Sequence, residues 1–147
     1  MPQKMLDTAN NYAKTIKVNA NSTLIFKALT ENLHLWWGKT TNHNFKTGGH
    51  FTVHFENGYW WTFKIMEYTP NHELVWKCID GEPDFNKEWI GHVLHWEIKA
   101  SELSTYIQLT HFGLTPETDC FDVCSKTWNM YIEKHLKKFL HSKNTSV

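Results

Sequence analysis

Residues 12–18 alternate Tyr12, Lys14, Ile16 and Val18 against Ala13, Thr15 and Lys17, the period of two that predicts a strand. Asn21 then stands as a helix N-cap, with Leu24, Ile25, Ala28 and Leu29 on one face of a short helix ending near Thr30. Residues 32–37 read as a second short helix running into Gly38. Strand periodicity returns after Gly48-Gly49, where Phe51, Val53 and Phe55 alternate with His50, Thr52 and His54. Asn57-Gly58 is a two-residue hairpin signal leading into residues 59–68, where Trp61, Phe63 and Ile65 share a face. Pro70-Asn71 turns the chain into a strand over 73–79, and 80–87 is polar loop. Residues 89–99 predict a fifth strand, with His92, Leu94, Trp96 and Ile98 on one face and Val93, His95 and Glu97 on the other; residues 105–111 predict a sixth. Gly113 and Pro116 break the pattern, and Asp119 is placed to cap a last helix of about 23 residues, roughly 34 Å long. Its apolar positions, Phe121, Cys124, Trp128, Tyr131, Ile132, Leu136, Phe139 and Leu140, recur at steps of three and four and form one stripe.

Sequential strands joined by short turns imply antiparallel pairing. A long helix with one apolar stripe must lie across the sheet. The expected fold is therefore α+β: a curved antiparallel sheet of about six strands wrapped on a long C-terminal helix, with two short helices after the first strand. No repeat or linker interrupts the pattern, so residues 1–147 are expected to form one domain with a core over about 12–140. The space between sheet and helix is the natural place for a ligand.

Composition narrows the function classes. A chain of 147 residues buries roughly 70% of its unfolded surface, and 41% hydrophobic with 20% charged residues is a globular balance. Net charge is zero and the 15 basic residues are all Lys, scattered without a basic stripe, so a nucleic-acid partner is not expected. No apolar run approaches the length of a membrane span, and residues 1–11 carry no apolar run of a secretory signal or lipid anchor, so no membrane insertion is expected. Three cysteines, Cys78, Cys120 and Cys124, are an odd number, which argues against a disulfide framework and for a reducing, cytoplasmic setting. Aromatics are the unusual feature, at 15% with 8 Trp.

Several short segments, in this order and spacing, resemble the START-like (SRPBCC, helix-grip) superfamily, and within it the family similar to the C-terminal domain of the heat-shock-protein-90 ATPase activator. They are Ile16–Val18 with Ala20, Ile25-Phe26, Ala28-Leu29-Thr30, Trp36-Trp37, Gly48-Gly49, Glu67 before Pro70, and Leu74-Val75-Trp76. Leu109-Thr110-His111, Gly113-Leu114, and Trp128 with Tyr131 complete the set. The stretch from Gly113 to Trp128 looks like a bacterial subgroup that carries such cysteines at the helix start; the subgroup's Gly-rich end is replaced here by His141-Ser142-Lys143-Asn144. The resemblance implies a helix-grip fold and, by analogy with superfamily members, either binding of a small apolar or amphipathic molecule or a cochaperone-like interaction with a chaperone. A cyclase- or hydrolase-type enzyme is the third reading.

Parity along the strands selects a candidate ligand lining: Trp37 at the mouth, Phe51 and Val53, Trp61 and Phe63, Trp76, His92, Leu94 and Trp96, Leu109 and His111, with Trp128 and Tyr131 as the roof. Buried indole N–H groups need acceptors, which favours a partly polar interior. Of the ten histidines, His92 and His111 are the two expected to point inward, either toward a ligand or satisfied by neighbours. Cys120 and Cys124 are one helical turn apart; a metal would need two further ligands from Asp119, Asp122 or His111, and a helix N-terminus would lower a thiol pKa for redox use. The expectation is that both thiols are reduced and metal-free, with Cys124 packed on the stripe. No nucleophile–base pair, metal-ligand spacing, phosphate loop or dinucleotide fingerprint is present, so no catalytic residue, metal or cofactor is expected.

Overall fold

The computed structural model describes residues 10–41, 44–82, 87–101 and 104–145. Strand β1 (Tyr12–Val18) is followed by helix α1 (Ser22–Ala28), a 3-10 turn at Leu33–Leu35, and strands β2 (Lys39–Thr41), β3 (His50–His54), β4 (Trp60–Thr69) and β5 (Glu73–Gly81). A 3-10 turn at Lys87–Trp89 leads to β6 (Val93–Ala100) and β7 (Thr105–Phe112). The C-terminal helix runs through α2 (Phe121–Met130), a π-helical stretch at Tyr131–Leu136, and α3 (Lys137–Thr145). All strands join one antiparallel sheet in the order β1-β7-β6-β5-β4-β3-β2. This is the α+β helix-grip architecture the hydrophobic pattern implies.

Local chemistry explains most boundaries. The Asn21 side chain accepts the Leu24 amide at 2.8 Å and opens α1. Gly58, at φ 93°, supplies the left-handed residue of the β3–β4 hairpin. Register shifts between Thr62 and Phe63 and between Ile65 and Glu67 interrupt the β4–β5 ladder, and such irregularities bend a sheet. The bent sheet buries Phe51, Val53, Phe63, Ile65, Trp76, Leu94, Trp96 and Leu109 on its concave face.

Four features differ from the sequence expectation. A seventh strand, β2, is only three residues long and has no hydrophobic alternation; it forms by pairing Lys39 with His54 and Thr41 with Thr52. Trp89 does not start a strand. It sits in a 3-10 turn ended by Gly91 at φ 94°, so β6 begins at Val93. Asp119 does not cap the last helix. Cys120 is the N-cap, because a tight turn over Thr115–Thr118 carries the chain in, with the Phe121 amide donating to the Thr118 carbonyl. The helix itself widens at Tyr131–Leu136. An i+4 step overshoots a 3.6-residue turn by ~40°, and the wider π turn offsets that drift. Trp128, Ile132, Leu136 and Leu140 can therefore all stay buried at a uniform spacing of four.

One polar joint fastens helix to sheet inside this core. The Trp128 indole N–H donates to His111 Nδ1 at 3.0 Å, and His111 Nε2 lies 2.9 Å from His92 Nδ1. Indole is only a donor, so His111 Nδ1 must be unprotonated and its proton is on Nε2. That proton is donated to His92 Nδ1, which places the His92 proton on Nε2. The His92 ring packs against Gly113, where a Cβ would meet ring carbon Cδ2 at 2.3 Å; Gly113 also has φ 106°. At the sheet edge, Tyr12 Oη donates to Asn129 Oδ1 at 2.6 Å and Lys14 pairs with Glu133, tying β1 to the same helix.

Two outcomes follow from the joint. Trp128→Ala should lower unfolding free energy in a urea melt by about 3–5 kcal/mol, the cost of a buried ring. Trp128→Phe keeps much of the ring yet leaves His111 Nδ1 without its donor, and should cost about 1–3 kcal/mol. The pH dependence has a definite sign. Burial, and then the neighbouring His92, hold His111 well below the usual histidine range, and burial lowers His92. Below about pH 6.5 the unfolded chain therefore binds more protons than the folded one. The stability contributed by the neutral pair is complete above about pH 6.5 and drains away as pH falls. Urea midpoints at pH 8 and pH 5 should differ more for the wild-type chain than for His111→Gln; equal differences would exclude the pair as the source.

Candidate functional site: an aromatic cleft at the helix N-terminus

Where the N-terminal half of α2 passes the tip of the β3–β4 hairpin, the core stops short and leaves a half-enclosed cleft of about 470 Å³. The hairpin contributes Phe55, Asn57, Tyr59 and Trp61; the 3-10 turn contributes Trp89; the helix start contributes Cys120, Val123, Cys124, Thr127, Trp128 and Tyr131; Trp37 closes the remaining side.

The indole rings around the cleft are nearly parallel. Trp61 and Trp89 stack at 4.1 Å between centroids with an 11° interplanar angle. Trp89 and Trp128 follow at 5.8 Å and 13°, and Trp128 and Trp37 at 5.3 Å and 23°. Trp37 also stacks on Trp76 at 6.0 Å and 19°, which carries the series into the core. The lining also carries polar groups. Asn57 Oδ1 accepts the Tyr59 amide, Thr127 Oγ1 donates to the Val123 carbonyl, and burial with Glu56 nearby raises the Tyr131 phenol, keeping it neutral at pH 7. The hydrogen bonds from Trp128 to His111 and from His111 to His92 run within the core. The cleft wall is thus mostly apolar, with polar atoms from Asn57, Tyr59, Thr127 and Tyr131 among its aromatic rings.

The thirteen residues chosen by strand parity divide into two groups. Trp37, Trp61, Trp128 and Tyr131 line the cleft. Phe51, Val53, Phe63, Trp76, Leu94, Trp96 and Leu109 are packed in the core beneath it, and His92 and His111 are hydrogen-bonded to each other. The reason is Trp37. Its ring touches Phe63, Trp76 and Trp128 and so fills the space over the central strands that parity alone leaves open. The partly polar interior expected from buried indoles is also revised. Trp36 Nε1 donates to the Ala28 carbonyl and Trp128 to His111, but Trp76, Trp89 and Trp96 have no acceptor for their N–H.

Trp89, Phe55, Tyr59, Asn57, Val123, Thr127, Cys120 and Cys124 were missed as lining residues. Trp89 was hidden by the strand reading; Gly91 between it and the regular alternation was the available signal. The cysteines require a correction too. Cys120 and Cys124 form a disulfide rather than two free thiols, with Cα atoms 5.5 Å apart. Two residues in regular helix present diverging side chains, but Cys120 is an N-cap at φ −88°, ψ 8°, off the helical path, and its Cβ can turn toward Cys124. Among the described residues no three His, Cys, Asp or Glu side chains come together as a metal site, and no helix is long and apolar enough to cross a membrane.

Comparison with solved structures returns this fold repeatedly. The Aha1 dimer from Colwellia psychrerythraea is 23% identical, with a TM-score of 0.74 over 88% of this chain and 95% of that one. The protein MLL2253 from Mesorhizobium loti is 14% identical, with a TM-score of 0.77 over 90% and 97%. DynU16, a putative protein in the dynemicin biosynthetic locus, is 14% identical, with a TM-score of 0.72 over 91% of this chain and 48% of that one. At these identities the likeness speaks for the fold alone. No curated protein matches the chain in sequence. The family model for Activator of Hsp90 ATPase homolog 1-like protein matches residues 19–141, most of the chain and every element from α1 to the start of α3, and the chain belongs to that family.

Proposed function

We propose that this protein binds a small, flat, apolar or amphipathic molecule in the cleft between the β3–β4 hairpin and the start of α2. The observation that carries the reading is the set of near-parallel indoles, Trp61, Trp89, Trp128 and Trp37, around a half-enclosed space. Its volume of about 470 Å³ is within the usual range for small-molecule sites, roughly 300–1,000 Å³. Because the four rings stack largely on one another, a planar guest would lie along their exposed edges and the open end of the series, while Asn57, Tyr59 and Thr127 meet its polar end. Trp37, Trp61, Trp128 and Tyr131 are the ligand-binding residues in this reading. The deeper residues of the parity set support the wall from behind.

A second reading, docking of a protein partner such as a chaperone, is favoured by one observation besides the family. Val123 on the cleft lip is 70% exposed and Ile90, beside Trp89, is 45% exposed, so apolar surface continues outward from the cleft. An apolar side chain of a partner could seat where a small molecule would.

The test uses anilinonaphthalene sulfonate and a panel of flat aromatics and fatty acids, titrated against intrinsic Trp fluorescence. Saturable quenching is expected. Thr127→Trp, an exposed position on the cleft wall, should weaken binding tenfold or more while moving stability by only about 0.5 kcal/mol. If no probe binds, and the chain instead stimulates a chaperone ATPase in a manner lost with Val123→Asp, the partner reading replaces the ligand reading.

A further inference from the structure

The three cysteines occupy two different environments. Cys78 is buried on β5; burial pushes its thiol up to about 12, and Sγ lies 3.5 Å from the Asp80 carbonyl oxygen. Cys120 and Cys124 are half-buried, bonded to each other, and part of the wall of a cleft that is open to solvent. A dithiol can therefore reach the pair.

The helical segment they bracket is intrinsically weak. Cys120 as N-cap makes no side-chain capping hydrogen bond. Val123, Ser125 and Thr127 are poor helix formers. The Ser125 and Thr127 hydroxyls donate back to the Phe121 and Val123 carbonyls, at 2.6 and 2.8 Å, a contact that loosens a helix rather than strengthening it. Val123, between the two sulfurs in sequence, faces solvent and anchors nothing. The first residue of α2 to be fully buried is Trp128. Phe121, Cys120 and Cys124 are only partly buried against the core, so the covalent link adds to a partial anchor where a capping side chain is absent.

We propose that Cys120–Cys124 is a thiol–disulfide exchange site whose redox state sets the order of the helical lip of the cleft. The co-reactant is a dithiol reductant. One of its thiolates attacks a sulfur of the pair, the Cys120–Cys124 bond breaks as a mixed disulfide forms, and the second reductant thiol displaces the protein sulfur. Two electrons and two protons reach the protein, which ends with two thiols, and the reductant ends as a cyclic disulfide. The oxidised form holds residues 120–127 against the aromatic wall. The reduced form frees this lip and puts two thiols, more polar than the disulfide, where an apolar guest would lie. Coupling to a guest rests on the binding reading above; the exchange and its effect on the lip do not.

The full chain is compared in air-oxidised form and after dithiothreitol. Alkylation in denaturant followed by intact mass should find one modified cysteine before reduction and three after. Amide hydrogen exchange across residues 121–127 should speed on reduction while residues 132–140 are unchanged, and anilinonaphthalene sulfonate should bind about fivefold more weakly. Cys120→Ser with Cys124→Ser should match the reduced form and ignore dithiothreitol, whereas Cys78→Ala should keep the full response. Either of two results overturns the proposal: three alkylated cysteines in the air-oxidised protein, or equal protection of 121–127 in both states. Failure of the dye to bind either form counts against the ligand reading alone, and the exchange data then decide this one.

Discussion

The hydrogen bond from Trp128 to His111 governs how the interior is arranged. It joins the helix to β7 across the core and sets the orientation of an indole that stacks on both Trp37 and Trp89. Both histidine tautomers follow from it, because an indole can only donate. Gly113 belongs to the same constraint: the chain can leave β7 only by passing the His92 ring without a Cβ. The turn from sheet to helix, the seating of the helix and the orientation of the ring stack are thus one problem with one solution. Removing the donor leaves a neutral imidazole nitrogen buried without a partner, a cost of about 1–3 kcal/mol beyond the loss of packing.

The rest of the aromatic core is settled by area rather than by polar pairing. Trp76, Trp89 and Trp96 each bury an N–H without an acceptor, which is unfavourable. Each ring also removes roughly 150–250 Å² from water and contacts other rings at 4.1–6.0 Å. The apolar gain exceeds the polar loss, so the chain fills its central space with its own side chains. Trp37 completes the filling, and what remains open is displaced to the mouth, where the hairpin tip and the helix start cannot close on each other.

Most of the fold was legible because strand parity and the helix stripe are periodic, and each periodic segment buries the face the pattern assigns. Phe51, Val53, Trp61, Phe63, Leu94 and Trp96 all lie on the predicted side. The site was less legible because its residues are not periodic. Trp89 reaches the cleft from a 3-10 turn, Phe55 and Tyr59 from a hairpin, and Val123 and Thr127 from the polar side of a helix whose other face is core. Parity reports only which way a residue points; it does not report how far a neighbouring element leans over it. Trp37 leans over the central strands from a short 3-10 segment with no period to read. The π turn was invisible for the same reason: steps of four fit an α-helical stripe locally, and only the whole run from Trp128 to Leu140 demands a wider turn.

The two walls of the cleft differ in how they are held, and that difference bears on what the cleft can recognise. On the sheet side, Trp61 stacks on Trp89, and Trp61 belongs to a strand paired on both sides. On the helix side, the segment before Trp128 is held by the Cys120–Cys124 disulfide and by the partial burial of Phe121 and the two cysteines against the core. In the ligand reading proposed above, this fixed aromatic wall would set the plane of a guest, since its neighbouring rings are tilted by only 11° and 13°. The helix wall, held at its start by the disulfide, would bear on such a guest from the other side. In that reading the site would select for flatness and apolar area, with polar selection left to Asn57, Tyr59 and Thr127.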